Sequence, residues 1–217
     1  MLGDIWNSLD FSAMLSALVR LAAVLLCLTV HETCHGLAAY ALGDPTARRE
    51  HRLSLNPLRH IDWFGFASML LVGFGWAKPV PVDMRYFKKP KQGMALTALA
   101  GPASNLLLAA LAVLGARLIL YWYGAVWDEF FTFLLETAYL SVSLGLFNLI
   151  PIPPLDGSKA LFAFLPDAAY EKLMRCEKYG MALLLLLLWT GFGADWLGAA
   201  VGRAYDLLLS VVFRSAL

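Results

Sequence analysis

Two histidines and a glutamate form the most informative group of residues in the chain. They lie in the order His31-Glu32-Thr33-Cys34-His35, which is the H-E-x-x-H arrangement. Residues four apart share one face of a helix, so both imidazoles can reach one tetrahedral metal ion, and Glu32 beside that face can take a proton from an activated water. The composition predicts only about 0.002 such motifs by chance. The motif therefore indicates a zinc site with His31 and His35 as ligands and Glu32 as general base.

A third zinc ligand is expected further along the chain, because catalytic zinc takes three protein ligands and leaves one position open. Asp156 is the best candidate. Pro151, Pro153 and Pro154 unwind the backbone just before it, and an unwound segment can aim a carboxylate back into a helix bundle. Asn148, shortly before the break, either holds the substrate backbone or supports the unwound segment, or it simply caps the preceding helix.

Other roles for these polar residues remain open. They could pair with other polar groups in a helix bundle, although that leaves their spacing unexplained. A metal transporter would use several weak sites along a path, whereas the sequence contains one three-ligand cluster with an extra glutamate. An inactive scaffold that binds client helices would not need His31, Glu32, His35 and Asp156 together.

The composition places these residues in a membrane protein. Apolar residues make up 60% of the 217-residue chain and charged residues 15%, and the mean hydropathy is +0.66. We expect a single membrane-embedded domain over 1–217, all-α and polytopic, with a core at about 11–160 and a C-terminal helical region at about 161–217. Three transmembrane helices at 11–42, 94–120 and 129–150 are expected to carry the zinc site. The net charge of +1 and the three cysteines indicate neither a nucleic-acid partner nor a disulfide framework.

Two apolar segments are harder to assign. Residues 63–82 contain Gly65, Gly73, Gly75, Pro79 and Pro81, which is too many for a stable spanning helix, so we expect a short β-hairpin or a re-entrant segment. Residues 181–213 are interrupted by glycines and form either one tilted helix or a short helix followed by another span. The fold therefore ends in one or two C-terminal helices.

The basic residues of the loops predict the orientation in the membrane. They are concentrated between the first two spans and after the third span, and the loop at 121–128 has none. By the positive-inside rule, both basic segments are cytoplasmic. Among them, His51 and His60 are expected to be exposed polar residues of the first basic loop.

Three motifs in this order resemble the site-2 protease family of intramembrane zinc metalloproteases. They are His31-Glu32-x-x-His35-Gly36, Gly101-Pro102-x-x-Asn105, and Asn148-x-x-Pro151-x-Pro153-x-Leu155-Asp156-Gly157. The stretches Leu55-Asn56-Pro57 and Gly75–Val82 are similar to the compact prokaryotic branch, which lacks PDZ and CBS domains. The resemblance covers about residues 25–160. It implies that His31, His35 and Asp156 bind one Zn²⁺ ion and that Glu32 is the base, and it leaves Asn105 and Asn148 as residues that bind substrate or support the site.

The expected function is zinc-dependent hydrolysis of peptide bonds within or near transmembrane segments of membrane proteins, that is, regulated intramembrane proteolysis. The expected location is the cell membrane, with several spans in the lipid bilayer and an active site open to the cytoplasm. A substrate helix has to unwind before it is cleaved, and we expect it to extend against the segment at Val80 to Val82. The oligomeric state and the identity of the substrate are not predicted.

Overall fold

The long apolar runs of the sequence fold as helices in the computed structural model, which describes residues 10–72, 75–123, 128–175 and 177–214. Within these residues the fold is all-helical, as the sequence predicts. The helices are α1 (Phe11–Ala41), α2 (Thr46–Arg49), α3 (Trp63–Val72), α4 (Pro90–Tyr123), α5 (Asp128–Asn148), α6 (Asp156–Phe162), α7 (Asp167–Arg175), α8 (Glu177–Thr190) and α9 (Ala194–Arg214).

Four of the described helices, α1, α4, α5 and α9, are long and apolar enough to cross a membrane. Helices α1, α4 and α5 pack against one another, and α9 packs against α5 and α4. The buried core between α4, α5 and α9 is built from small residues, which let helix backbones approach closely. Its buried members are Ala109, Ala112, Val113, Ala138, Val142 and Val201.

Both ends of α1 are fixed by carboxylates. The Asp10 side chain accepts hydrogen bonds from the backbone N–H groups of Ser12 and Ala13 and so caps the first turn. At the other end, the fully buried Asp44 accepts hydrogen bonds from the Thr46 N–H at 2.9 Å and the Asp83 N–H at 2.7 Å. Asp44 thereby ties the end of α1 to the loop that precedes α4.

The segment between α1 and α4 differs from one of the two predicted forms. Within its described residues there is no β-hairpin: α3 occupies the apolar run, and one antiparallel bridge joins Ile61 to Ala77. Pro79 and Pro81 lack the N–H groups that a strand ladder needs, which explains why pairing does not continue. The segment instead folds back on α1 and lines an open cavity of about 570 Å³, together with residues of α5 and α9 and with residues between Val24 and Thr29 of α1. Those residues are 13 to 18 positions before Leu42, or roughly 20 to 27 Å along the helix.

The C-terminal region consists of a short helix and a longer one. Helix α8 has 14 residues and is only about 21 Å long, so it is too short to cross a bilayer. Gly191 and Gly193 then adopt φ angles of +69° and +81°, which L side chains rarely adopt. They turn the chain into α9, which satisfies the length and hydropathy of a span. This arrangement corresponds to the predicted short helix followed by another span.

Candidate active site

The polar cluster is built from α1 and from the start of α6. His31 and His35 lie one turn apart on α1, and Asp156 is the first residue of α6. Gly157 allows this placement, because a Cβ atom there would lie 2.1 Å from the carbonyl oxygen of Leu149. The residue after the carboxylate is therefore pressed against the chain that leaves α5, and the proline-rich break brings Asp156 to α1.

Three potential ligand atoms converge at this point. The Nε2 atoms of His31 and His35 are 2.9 Å apart, and each lies 3.1 Å from Oδ2 of Asp156. Both histidines are buried, and Asp156 is largely shielded from solvent. Ligand atoms about 2.0 to 2.1 Å from a tetrahedral ion are about 3.3 Å apart, so the cluster is close to the size that zinc requires.

The hydrogen bond of the His35 ring is compatible with a cation between these atoms. Its Nδ1–H donates a hydrogen bond to the backbone carbonyl of Thr97 at 2.7 Å. In the neutral imidazole this leaves Nε2 with a lone pair directed at the cluster. Lone pairs and a carboxylate that face one another repel unless a positive charge lies between them. The donor set therefore fits a zinc ion, with Thr97 as the group that orients one ligand.

Asn105 on α4 lies behind the other histidine. It is fully buried, its Nδ2 is 3.4 Å from Nδ1 of His31, and its Oδ1 has no hydrogen-bond partner. Rotating the amide by 180° preserves its shape and brings Oδ1 to Nδ1 of His31. Asn105 would then accept the Nδ1–H hydrogen bond and leave Nε2 free to bind metal.

Gly101 brings α4 against both imidazoles. A Cβ atom at this position would lie 2.4 Å from Nε2 of His35 and 2.7 Å from Cε1 of His31. Cβ atoms essentially never come this close to other atoms, so a side chain here would force either α4 or the two imidazole rings to move. The small residue is thus a requirement of the site as well as of helix packing.

Glu32 faces a different neighbour from the histidines. Its Oε2 accepts a hydrogen bond of 2.9 Å from the backbone N–H of Val80, in the loop between α3 and α4. Its other carboxylate oxygen makes no hydrogen bond to the described residues. The glutamate is therefore oriented by the loop through one of its two oxygens.

The structure places Asn148 at the end of α5. Asn148 donates a hydrogen bond to the carbonyl of Leu144 at 3.0 Å, within the last turn of α5, as expected of a residue at a helix end.

The prediction that His60 is exposed is wrong, because only 2% of it is accessible. Its Nε2–H donates to the carbonyl of Ser54 at 2.7 Å, which also accepts from the Thr33 hydroxyl at 2.9 Å. The loop is therefore packed beneath α1, and local polarity alone does not reveal this.

Sequence reasoning missed two contributors to the site, Thr97 and Val80. Both act through the backbone, so their side-chain types carry no signal. The prolines on either side of Val80 are the one visible indication, because they leave a single N–H in that stretch.

Comparison with known proteins relates the chain to one group of peptidases. A family model described as Peptidase family M50 matches residues 118–190. YwhC of Bacillus subtilis, provisionally named a zinc metalloprotease, is 37% identical over 200 residues, which cover 87% of this chain and 90% of YwhC. Rip2 of Mycolicibacterium smegmatis, with the same provisional name, is 28% identical over 195 residues, covering 86% of this chain and 72% of Rip2.

A shorter match relates the chain to RasP of Bacillus subtilis, which is named regulator of sigma-W protease. The two are 44% identical over 57 residues, which cover 24% of this chain and 13% of RasP. No solved structure matches the chain.

Proposed function

This chain belongs to peptidase family M50, the site-2 proteases, and from that premise we propose that it is a zinc-dependent endopeptidase that cleaves transmembrane segments of membrane proteins. The observation that carries the proposal is the convergence of His31, His35 and Asp156 beside Glu32. Among the described residues, this is the one group of histidines, cysteines and acids able to hold a metal ion. The helices that bear it belong to a multi-pass membrane protein.

The cofactor is Zn²⁺, in agreement with the zinc metalloprotease names of the relatives. We propose His31 Nε2, His35 Nε2 and one carboxylate oxygen of Asp156 as its protein ligands. When bound there, zinc supplies a Lewis acid that polarises the scissile carbonyl and lowers the pKa of a water toward ~7.

The protein groups then carry the proton transfers. Glu32 accepts a proton from the attacking water and delivers it to the nitrogen of the departing amine, so it ends the reaction as it began. The Val80 N–H bonds one of its oxygens, which leaves the other oxygen for this exchange. Thr97 and Asn105 hold the two imidazoles with Nε2 directed inward, and we assign Asn105 to this supporting role and not to substrate binding.

The basic loops support a cytoplasmic opening of the active site. His35 and His31 lie 8 and 12 residues before Gly43, so the zinc is roughly 12 to 18 Å from the cytoplasmic end of α1. Hydrolysis at that depth requires water to enter from the cytosol. It also requires the substrate helix to unwind, because a helical peptide bond is shielded by its own hydrogen bonds.

We propose that the substrates are membrane proteins with a transmembrane helix whose cleavage releases a regulatory part. The name of RasP connects one relative with sigma-W regulation, and this supports a regulatory role for the present chain.

A reconstituted assay tests the proposed function. The purified protein is placed in lipid vesicles with a designed single-span substrate that carries a tag at each end and a Gly-Pro pair near the middle of its helix. We expect cleavage inside the helix by the wild-type enzyme, with one zinc ion per chain. The Glu32→Gln variant should retain zinc and lose activity at least ~1000-fold, because an amide cannot accept the proton.

Glu50→Gln provides the matched control, since Glu50 is an exposed acid in the neighbouring loop. It should behave as wild type. Cleavage by Glu32→Gln at the wild-type rate would contradict the assignment of the base, and zinc flux across the vesicle without cleavage would favour a transporter.

A further inference from the structure

The segment Pro79-Val80-Pro81 offers a single backbone donor, and that donor is directed at the catalytic base. Proline has no N–H, so Val80 has the one backbone N–H of the three residues. It donates to Oε2 of Glu32 at 2.9 Å, and Val80 is 8% exposed. Within Val80 to Val82, the segment expected to pair with an extended substrate, the Val80 N–H is therefore already engaged by Glu32.

A glycine on α1 permits this approach. Gly36 follows Glu32 by one helical turn, so both lie on the same face of the helix. A Cβ atom at Gly36 would lie 2.6 Å from Cδ2 of Leu53 and 3.2 Å from Cγ1 of Val80. Without a side chain at this position, the loop reaches the surface of α1 next to the glutamate.

A buried arginine fixes the segment from the other side. Arg52 is 6% exposed, and its Nη2 donates to the carbonyl of Lys78 at 2.6 Å and to that of Pro79 at 3.3 Å. The Lys78 N–H in turn donates to the carbonyl of His60 at 2.8 Å. No carboxylate among the described residues forms an ion pair with Arg52. The Nη2 group of the buried guanidinium thus binds two backbone carbonyls, and the Pro79 carbonyl belongs to the same peptide group as the Val80 N–H that bonds Glu32.

We propose that Arg52 is a positioning residue for peptide hydrolysis, because it fixes the Lys78 and Pro79 carbonyls and thereby presents the Val80 N–H to Glu32. This inference rests on the proposed function in taking Glu32 as the base. The carboxylate is thereby held through one oxygen, and its second oxygen would accept the proton of the attacking water. Loss of the Arg52 hydrogen bonds leaves zinc and substrate binding intact and slows the proton transfer through Glu32.

The first experiment needs neither zinc nor substrate. The full-length metal-free protein is labelled with ¹⁵N-valine in detergent micelles, and the Val80 amide resonance is assigned by its loss in Val80→Ile. We expect Glu32→Gln and Arg52→Gln to shift this resonance and to speed its hydrogen exchange. Glu50→Gln and Arg49→Gln should leave it unchanged, because both side chains are exposed and Arg49, at the end of α2, donates to the Tyr86 hydroxyl. If Arg52→Gln leaves both the chemical shift and the hydrogen exchange of the Val80 amide unchanged, the inference is overturned.

The second experiment measures kinetics with the designed substrate. We expect Arg52→Gln to lower kcat by ~10- to 100-fold, with KM and zinc content within about twofold of wild type. Arg52→Lys should recover most of the rate, because an ammonium group still donates to carbonyl oxygens. An unchanged kcat, or a loss that resides in KM or in zinc binding, would overturn the positioning role.

A backbone substitution covers the case in which Arg52→Gln fails to fold. Replacing Val80 by the α-hydroxy acid analogue of valine (2-hydroxy-3-methylbutanoic acid) in cell-free synthesis turns the amide into an ester, which removes the N–H and keeps the side chain, and the same replacement at Val82 is the control. The ester at 80 should lower kcat and the ester at 82 should not; equal rates contradict the inference. Absence of cleavage by the wild-type protein overturns the proposed function, whereas the valine resonance tests the Glu32–Val80–Arg52 coupling independently of activity.

Discussion

Asp156 is brought to the group of metal-ligand candidates by a different part of the chain from the two histidines. His31 and His35 are brought together by the period of one helix, whereas Asp156 depends on a proline-rich break and on the close contact at Gly157. Its Oδ2 is equidistant from both Nε2 atoms, at 3.1 Å. Removing it leaves two imidazoles, which are too few ligands for tight zinc binding.

We therefore predict that Asp156→Ala weakens zinc retention as well as cleavage. Zinc content after gel filtration should fall below half of the wild-type value, and activity should fall at least ~100-fold. Metal analysis by mass spectrometry checks the first expectation. Asp167→Ala is the control, because Asp167 is exposed and pairs with Lys91. Full zinc content in Asp156→Ala would mean that the carboxylate contacts substrate instead of metal.

At the scale of the elements, α4 packs against the two histidines of α1. Gly101 allows the contact, Thr97 one turn earlier accepts the His35 hydrogen bond, and Asn105 one turn later lies beside His31. These positions are spaced by four, so they form a single stripe along the helix. The stripe couples the packing of α4 on α1 to the geometry of the metal site.

Gly101→Ala should consequently impair the site without unfolding the bundle. The added Cβ overlaps the imidazoles, and we expect zinc affinity to fall ~10- to 100-fold. A competition titration with a chromogenic chelator measures this. The matched variant Gly115→Ala lies on the same helix, where the Cβ would meet Leu134 at an ordinary 3.6 Å, and it should bind zinc like wild type. Equal losses in both variants would indicate a general packing effect.

At the scale of the whole molecule, the distribution of loop charge predicts which side of the membrane supplies water to the buried site. Nine lysines and arginines lie between Gly43 and Gly93, after α1, and four more lie within 159–178, whereas the loop at 121–128 contains none. If the basic loops are cytoplasmic, the base and the ligands are reached from the cytosol.

Labelling of single cysteines tests this orientation. In a chain whose native cysteines have been replaced, Leu55→Cys and Lys172→Cys should react with a membrane-impermeant maleimide only after cells are permeabilised. Tyr121→Cys, which is exposed near the end of α4, should react in intact cells. The parent without cysteines is the control. Labelling of Leu55→Cys in intact cells would invert the topology and move the water entrance to the other face.

The burial of the site also predicts which substrates are cleaved. Because a scissile carbonyl has to be exposed roughly 12 to 18 Å inside the membrane, Gly or Pro near the cleavage point should favour hydrolysis. Replacing the Gly-Pro pair of the designed substrate with leucines should slow the initial rate several-fold, since leucine strengthens the helix while increasing its apolarity.

Rates are compared at equal substrate density in one bilayer, with Glu32→Gln as background. A protease limited by membrane partitioning would cleave the leucine substrate at least as fast, and that result would remove unwinding from the proposed mechanism.

The sequence by itself determined the helical class, the long apolar runs and the H-E-x-x-H spacing, because hydrophobic period and residue type are local properties. It also indicated Asp156, since prolines mark where a helix has to end. Only the tertiary structure decided that His60 is buried, that a short helix and one bridge occupy the segment expected as a possible hairpin, and that Gly101 touches both imidazoles. The Val80 N–H on Glu32 and the Thr97 carbonyl on His35 are backbone contacts between distant segments. Every residue type except proline has the same backbone groups, so such contacts leave almost no trace in a sequence.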